Sequence, residues 1–598
     1  MSWGNLELWP IGNCQVAALI DRRARFVWAC APRLDGDPVF SALVGGVDPA
    51  EEDAQGVWDI AMIRGTVTEQ GYLTNTAVLR TVMRDEYGAA LEILDFCPRY
   101  PAKGRTYRPV AFARIVRLLA GSPRIQVRLR PMTNWGARKA AVTAGSNHIR
   151  YVGDAVTMRL TTNAPITYIR NERAFRLEKP LAFFLGPDES FAEEPMAVER
   201  MLERTIQEWR IWVRGLAVPL DWQQAVIRAA ITLRLCCFEE TGAIVAALTT
   251  SIPEAPGSGR NWDYRYCWLR DAYYVVQALN RLGAVDILEN YLAYLRNLTD
   301  ASPDGNLQPV FGIGLEKALD ETQAQALAGY RGMGPVRVGN AAYFQQQNDV
   351  FGQVVLSSAQ AFFDTRLLRP AGLTDFEALE RVGEQAFQQH DAADAGLWEL
   401  RTMAEVHTYS SIMCWAACDR LGNIAQALNL PERARFWNER ADLIARRIRK
   451  EAWNADLGTF VSSFGGDKLD ASLLQMVDVR FTAPDDPAFV ATVEAVTKAL
   501  KRGEYLLRYG HADDFGLPET AFTVCTFWYI EALAHMGRKQ EACALFERLL
   551  ALRSPAGLLS EDITIETGEL WGNYPQTYSL VGLINCAGLL SRPWSAVR

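Results

Sequence analysis

The stretch MAVERMLERTIQEWRIWVRG (196–215) divides this chain into two textures. Met201, Ile206, Trp209 and Trp212 recur there at helical spacing and gather on one side, which predicts an amphipathic helix. Before it the chain alternates like β-structure, as in RARFVWAC (23–30), ALEILDF (90–96) and IQVRL (125–129). Turn residues such as Asp35-Gly36-Asp37-Pro38 and Glu86-Tyr87-Gly88 punctuate these runs, and many short strands at that spacing suggest an antiparallel sandwich. The texture changes around Glu193, so a helical linker is expected over 193–218 between a β-domain over 1–192 and a helical domain over 219–598.

Helical periodicity dominates the second part. The expected helices are 222–240, 267–283, 285–298, 348–364, 374–390, 405–427, 431–453, 487–501, 519–537, 539–552 and 575–591, with one more near 468–476. The loops between them are long and hold Gly, Pro, Trp and acidic residues. Close to twelve paired helices with long loops fit an (α/α) barrel of six hairpins, with an inner ring lining the core and an outer ring covering it. Loops gathered at one end of such a scaffold are where chemistry sits. No fixed-period repeat is visible, which argues against a solenoid.

Bulk composition excludes several function classes. The net charge of -8 and the lack of a long basic run argue against a nucleic-acid partner. The N-terminus has no basic start followed by an apolar core, and no apolar run reaches the roughly 18 residues of a membrane span. The 11 Cys include no CxxC pair and sit mostly in apolar stretches, the pattern of buried thiols in a reducing compartment. A cytoplasmic protein is expected, with no membrane partner. The five His (148, 390, 407, 511 and 535) are scattered, so no metal site and no cofactor is expected. The 17 Trp serve core packing or, equally, stacking against sugar rings.

Four segments carry candidate chemistry. NWDYRYCWLRD (261–271) puts Trp268, Arg270 and Asp271 at a helix entrance, where free backbone donors add to the side chains. Arg270 and Asp271 converge on one ligand there, or form an ion pair that caps the helix. GLWELR (396–401) sets Glu399 beside Leu397 and Trp398; partial desolvation raises a carboxyl's pKa, as a proton donor needs. GLLSED (557–562), followed by GNYPQ (572–576), offers Glu561 as a base, which needs polar neighbours and water access; the bland alternative is a loop acid capping the next helix. GYRGMGPVRVGN (329–340) supplies Arg331, Arg337 and Asn340 as donors for hydroxyls on a glycine-rich loop able to approach a ligand closely. Neither a P-loop, a dinucleotide fingerprint nor a G-x-S-x-G elbow is present.

These four segments, with FTVCTFWYIEAL (522–533) and the longer GLLSEDITIETGELWGNYPQTYSLVGL (557–583), resemble bacterial glycoside hydrolase family 15, which includes glucoamylases, glucodextranases and trehalases. LWPIGNCQVAALIDRRARFVWACAPRLDGDPVF (8–40) is similar to the family's trehalase-like N-terminal domain. The resemblance implies an N-terminal antiparallel β-sandwich followed by a six-hairpin (α/α) barrel. It implies an inverting, exo-acting α-glucoside hydrolase that releases β-D-glucose, with Glu399 as proton donor and Glu561 as base. Arg270 and Asp271 would hold the non-reducing glucose, with Trp268, Trp398 and Arg331 or Arg337 as further pocket residues. Many members carry Ser where Met333 stands, which bears on substrate choice more than on reaction type. The expected substrate is a small α-glucoside, with trehalose favoured over malto- or isomalto-oligosaccharides. Phosphorolysis and non-catalytic glycan binding are the remaining alternatives.

Overall fold

A computed structural model describes residues 5–189 and 195–597. The change of texture at Glu193 lies outside the described residues.

The N-terminal part is built on two large antiparallel sheets. In one, the strands Trp9–Gly12, Ala17–Ile20, Phe26–Ala31, Val57–Met62, Arg124–Arg130 and Phe175–Arg176 lie in that order, with Asp37–Phe40 paired to Phe26–Ala31. The other has eight strands, ordered Ala141–Ala144, His148–Val152, Thr157–Thr162, Leu181–Pro187, Phe112–Ala120, Ala90–Phe96, Leu79–Asp85 and Gly65–Tyr72. The expected strand over 23–30 starts only at Phe26, because the Asp21 carboxylate accepts from the backbone of Arg23 and Arg25 and holds those residues in a turn. Phe26 and Phe40 of the first sheet meet Phe112 of the second, with ring centroids 6.0 and 6.4 Å apart. The buried Arg114–Asp95 pair (2.7 Å) crosses between the sheets by donating to the Trp58 carbonyl at 3.0 Å.

The expected amphipathic helix is Pro195–Arg214. Its Val198, Met201 and Leu202 pack on Phe96, Ala113 and Phe184 of the sandwich, while Trp209 and Val213 pack with Ile231 and Leu235 of the next helix. It clamps the β-domain to the helical one.

In the helical domain, six segments form a closed ring in which each contacts the next: Leu269–Arg281, Asp349–Ala359, Thr408–Ala427, the 3-10 helix Ala471–Met476, Thr523–His535 and Thr577–Leu590. Each has an outer partner, respectively Val285–Asp300, Leu373–Gln389, Pro431–Glu451, Pro487–Leu500, Lys539–Ala551 and Gln223–Leu235. This is a six-hairpin ring. Periodicity separates inner from outer: Thr523–Ala534 is buried on all sides, whereas Pro431–Glu451 buries only the stripe Ala434, Trp437, Ala441, Ile444 and Ile448. The helix expected near 468–476 is the one 3-10 segment of the ring, started by the Asp470 side chain accepting from Ser472 N.

Several helices are shorter than their periodicity suggests, because short ladders claim their ends. Ala521–Phe522 pairs with Asp562–Ile563, so the helix expected over 519–537 begins at Thr523. Cys237–Phe238 pairs with Ala243–Ile244, so the one expected over 222–240 stops at Leu235.

At the C-terminal end of Thr523–His535, Glu531 is buried, with one carboxyl oxygen lacking a hydrogen-bond partner. Burial first, then the nearby Asp478, pushes its carboxyl up to about 8. Between the ordinary carboxylate range and pH 8 the folded chain therefore holds a proton that the unfolded chain lacks. That contribution is complete at low pH and is lost as pH rises through about 8. Glu531→Gln is expected to gain stability relative to the parent between pH 5 and pH 9, by on the order of 2–4 kcal/mol. Melting curves of both proteins across that range check it; a difference that does not change with pH contradicts it.

Candidate active site

Residues at the starts of three of the ring segments line one cavity. Trp268, Arg270 and Asp271 start Leu269–Arg281; Phe522 precedes Thr523–His535; Gln576 and Tyr578 start Thr577–Leu590. Tyr264, Asn340, Trp398, Glu399, Arg508 and Tyr509 complete the wall from the loops. Helix N-termini stabilise negative charge, which suits the carboxylates gathered here.

Glu399 is held by two donors: Trp268 Nε1 at 2.6 Å and Arg270 Nη2 at 3.0 Å, both to Oε1. Its backbone lies in the left-handed region (φ 58), which is unusual for a residue with a side chain and is seen where a site fixes a group. Arg270 does not pair with its neighbour Asp271. It reaches Asp349 (3.0 Å) and Gln347 (2.8 Å) across the ring, so the capping ion pair weighed as an alternative does not form. Asp271 lines the cavity, with burial raising its carboxyl to about 7 against the pull of Arg270.

Glu561 departs from the expectation of water access. It is 1% exposed and is not among the cavity-lining residues, because Leu558 and Leu559 are buried on one side and Gly572 packs on its side chain on the other. Asn573 N donates to its Oε2 at 3.0 Å, and the Tyr264 hydroxyl also binds its carboxyl. Burial, then Glu254 and Asp562, raise the carboxyl well above the ordinary range. Tyr264 links the two acids. Its ring packs edge-on to Trp268 with centroids 5.4 Å apart, and Trp268 holds Glu399. Glu399 and Glu561 thus lie at opposite ends of one aromatic pair in the cavity wall.

The other expected residues divide. Trp398 lines the cavity, its Nε1 donating to Asp470 at 2.8 Å, and Asn340 lines it while its side chain holds the Asp263 carbonyl at 3.3 Å. Arg331 and Arg337 are not among the lining residues. Arg331 pairs with Glu569 at 2.7 Å over Trp571, and Arg337 pairs with Glu321 at 2.6 Å over Trp262. Their loop serves as a brace: the carbonyls of Met333 and Pro335 accept from Asn261, and Gly329 N donates to Val44 O of the β-domain. Arg265, in the same motif as Asn261, donates to Gly36 O at 2.7 Å, so the β-domain directly holds the segment that carries Trp268, Arg270 and Asp271. Among the described residues, no cluster of His, Cys, Asp or Glu is placed to hold a metal ion.

Arg508, Tyr509 and Glu254 also line the cavity, and the sequence carries no signal for them. LLRYGHADD (506–514) gives no periodic or motif signal beyond its density of charge. Tyr264 lies inside the 261–271 motif, four residues before Trp268.

The family model for Glycosyl hydrolases family 15 matches residues 221–588, and the model described as Trehalase-like, N-terminal matches residues 8–174. The chain belongs to glycosyl hydrolase family 15. It is therefore a glycoside hydrolase. A protein named trehalase from Mycolicibacterium smegmatis is 31% identical over 96% of this chain and 89% of its own length. One of the same name from Mycobacterium tuberculosis is 30% identical over 96% and 88%. A bacterial glucoamylase solved with acarbose matches in fold with a TM-score of 0.68, covering 98% of this chain and 94% of that one at 14% identity. That agreement shows a shared fold, an N-terminal antiparallel β-domain followed by a helical ring. No helix among the described residues is long and apolar enough to cross a membrane.

Proposed function

We propose that this family 15 enzyme is an inverting α,α-trehalase. The observation that carries the reading is the pairing of full-length similarity to proteins named trehalase with one cavity that gathers Glu399, Arg270, Asp271 and Trp268. In this reading Arg270, Asp271, Trp268, Asn340 and Trp398 seat the glucose whose anomeric bond breaks. Glu399 gives its proton to the glycosidic oxygen as that bond opens. Glu561 takes a proton from the water that attacks the anomeric carbon on the opposite face. Inversion needs room for that water, with carboxyls roughly 6.5–9.5 Å apart rather than the closer pair of a retaining enzyme. The Tyr264–Trp268 pair between the two acids supports separated roles. No cofactor enters this chemistry.

Trehalose makes the stereochemistry readable. Both of its glucoses are α, and only the one attacked is inverted. Early proton NMR spectra are expected to show α- and β-glucose in equal amounts; α-glucose alone would refute inversion. In a panel with maltose, isomaltose and longer maltodextrins, kcat/KM for trehalose is expected to be highest. A higher value for maltodextrins would favour a glucoamylase-type hydrolase instead.

A further inference from the structure

Glu254 is a carboxylate close to Glu561 and in the same cavity wall as Glu399. It lines the cavity although it is only 4% exposed. Arg508 Nη2 donates to its Oε2 at 2.7 Å and Trp262 Nε1 to its Oε1 at 3.1 Å, and both donors belong to the same wall. Its backbone is tied to the hairpin of Glu561 at two points. Gly572 N donates to the Pro253 carbonyl at 2.8 Å, and the Thr520 hydroxyl contacts both the Glu254 carbonyl (3.0 Å) and Asp562 Oδ1 (2.9 Å). Gly572 in turn packs against the Glu561 side chain.

Like charges so close are costly, and one carboxylate raises the proton affinity of the next. The groups facing this cluster are few. Tyr264 and the backbone of Asn573 bind Glu561; Arg508 and Arg260 face Glu254 and Asp562; Asp513 takes both forks of Arg260, at 2.7 and 2.6 Å, and Tyr509 lies under Arg508 and binds Asp513. Asp562 has one oxygen without a partner, and burial followed by Glu254 pushes it up to about 8. Glu254 is thus the member of the trio Glu254, Glu561 and Asp562 that lines the cavity.

We propose that Glu254 is a positioning residue for hydrolysis: its carboxylate, fixed in the cavity wall by Arg508 and Trp262, orders the attacking water toward Glu561 and keeps a negative charge beside that base. This rests on the assignment of Glu561 as base. In the step, the water oxygen bonds to the anomeric carbon, its proton passes to Glu561, and the departing oxygen keeps the bonding pair and takes the proton of Glu399. Glu254 exchanges no proton.

The test is the pH–rate profile of Glu254→Gln on trehalose, beside the parent. Removing a negative neighbour makes Glu561 easier to deprotonate. Because the base works deprotonated, the acidic limb of kcat/KM is expected to move to lower pH by about one unit. kcat at the optimum is expected to fall about tenfold or more through loss of water positioning. A limb that stays in place overturns the proposal. So does a near-total loss of activity restored by azide with β-glucosyl azide as product, which would make Glu254 itself the base. If Glu254→Gln shows no cooperative melt, Glu254→Asp serves: the charge is kept, so the limb should hold while kcat falls, and an unchanged kcat overturns the proposal. A parent that does not hydrolyse trehalose or any α-glucoside of the panel instead refutes the trehalase reading.

Discussion

Glu399→Gln is expected to lower kcat on trehalose about 10³-fold while leaving hydrolysis of α-glucosyl fluoride within about tenfold of the parent. The substitution keeps shape and leaves an oxygen for the bonds from Trp268 Nε1 (2.6 Å) and Arg270 Nη2 (3.0 Å), so the pocket stays assembled and KM should change little. What it removes is a proton to give. A sugar alkoxide is a poor leaving group and needs that proton as the bond breaks; fluoride departs without it. A loss of 10³ corresponds to about 4 kcal/mol of transition-state stabilisation, within the usual range for general acid catalysis. The two substrates must therefore diverge, and steady-state kinetics on each checks it. Equal losses on both would mean that the variant disturbs the seat of the glucose, and the donor would have to be sought elsewhere.

How much of this was legible in the sequence depended on whether the deciding interaction was local. Helix periodicity reads off one segment, so the ring and its outer layer could be anticipated, including the position of Ala471–Met476. Helix ends were misjudged where a partner far along the chain claims the backbone, as Asp562–Ile563 does for Ala521–Phe522. The same division runs through the site. Trp268, Arg270 and Asp271 share one helix start, and a single motif carries them to the cavity together. Arg331 and Arg337 resembled ligand donors because their acidic partners, Glu569 and Glu321, are fixed by the fold and not by adjacency. Glu561 was expected to reach water because Ser560 and Asp562 flank it, yet Ser560 turns away to the Asp562 carbonyl and Glu561 is nearly sealed. Arg508 and Glu254 meet over 254 residues of chain, a contact that no local pattern announces.

Glu561→Gln should behave unlike Glu399→Gln on the same substrates. A base is needed whatever group departs, so kcat is expected to fall about 10³-fold on trehalose and on α-glucosyl fluoride alike. Azide, a nucleophile that needs no deprotonation, should restore turnover on the fluoride and give β-glucosyl azide, with attack still on the face opposite the leaving group. Failure of azide to restore any product, with the fold intact by melting, would count against Glu561 as base. Its placement can be tested without changing its chemistry. Gly572 has φ +74, and a Cβ built there would lie 2.5 Å from Glu561 Cβ and 2.6 Å from its Oε2. Those distances are too short for any real contact, and the positive φ leaves the new side chain no relaxed alternative. Gly572→Ala must therefore push the Glu561 carboxyl off Asn573 N, the donor at 3.0 Å that fixes it. A displacement of about 1 Å at a reacting group costs up to roughly 10²-fold, so Gly572→Ala should lose between about ten- and a hundredfold in kcat with both acids still present. Full activity in Gly572→Ala would mean that the hairpin yields without moving Glu561, or that the water is deprotonated by another carboxylate of the cavity wall, such as Glu254.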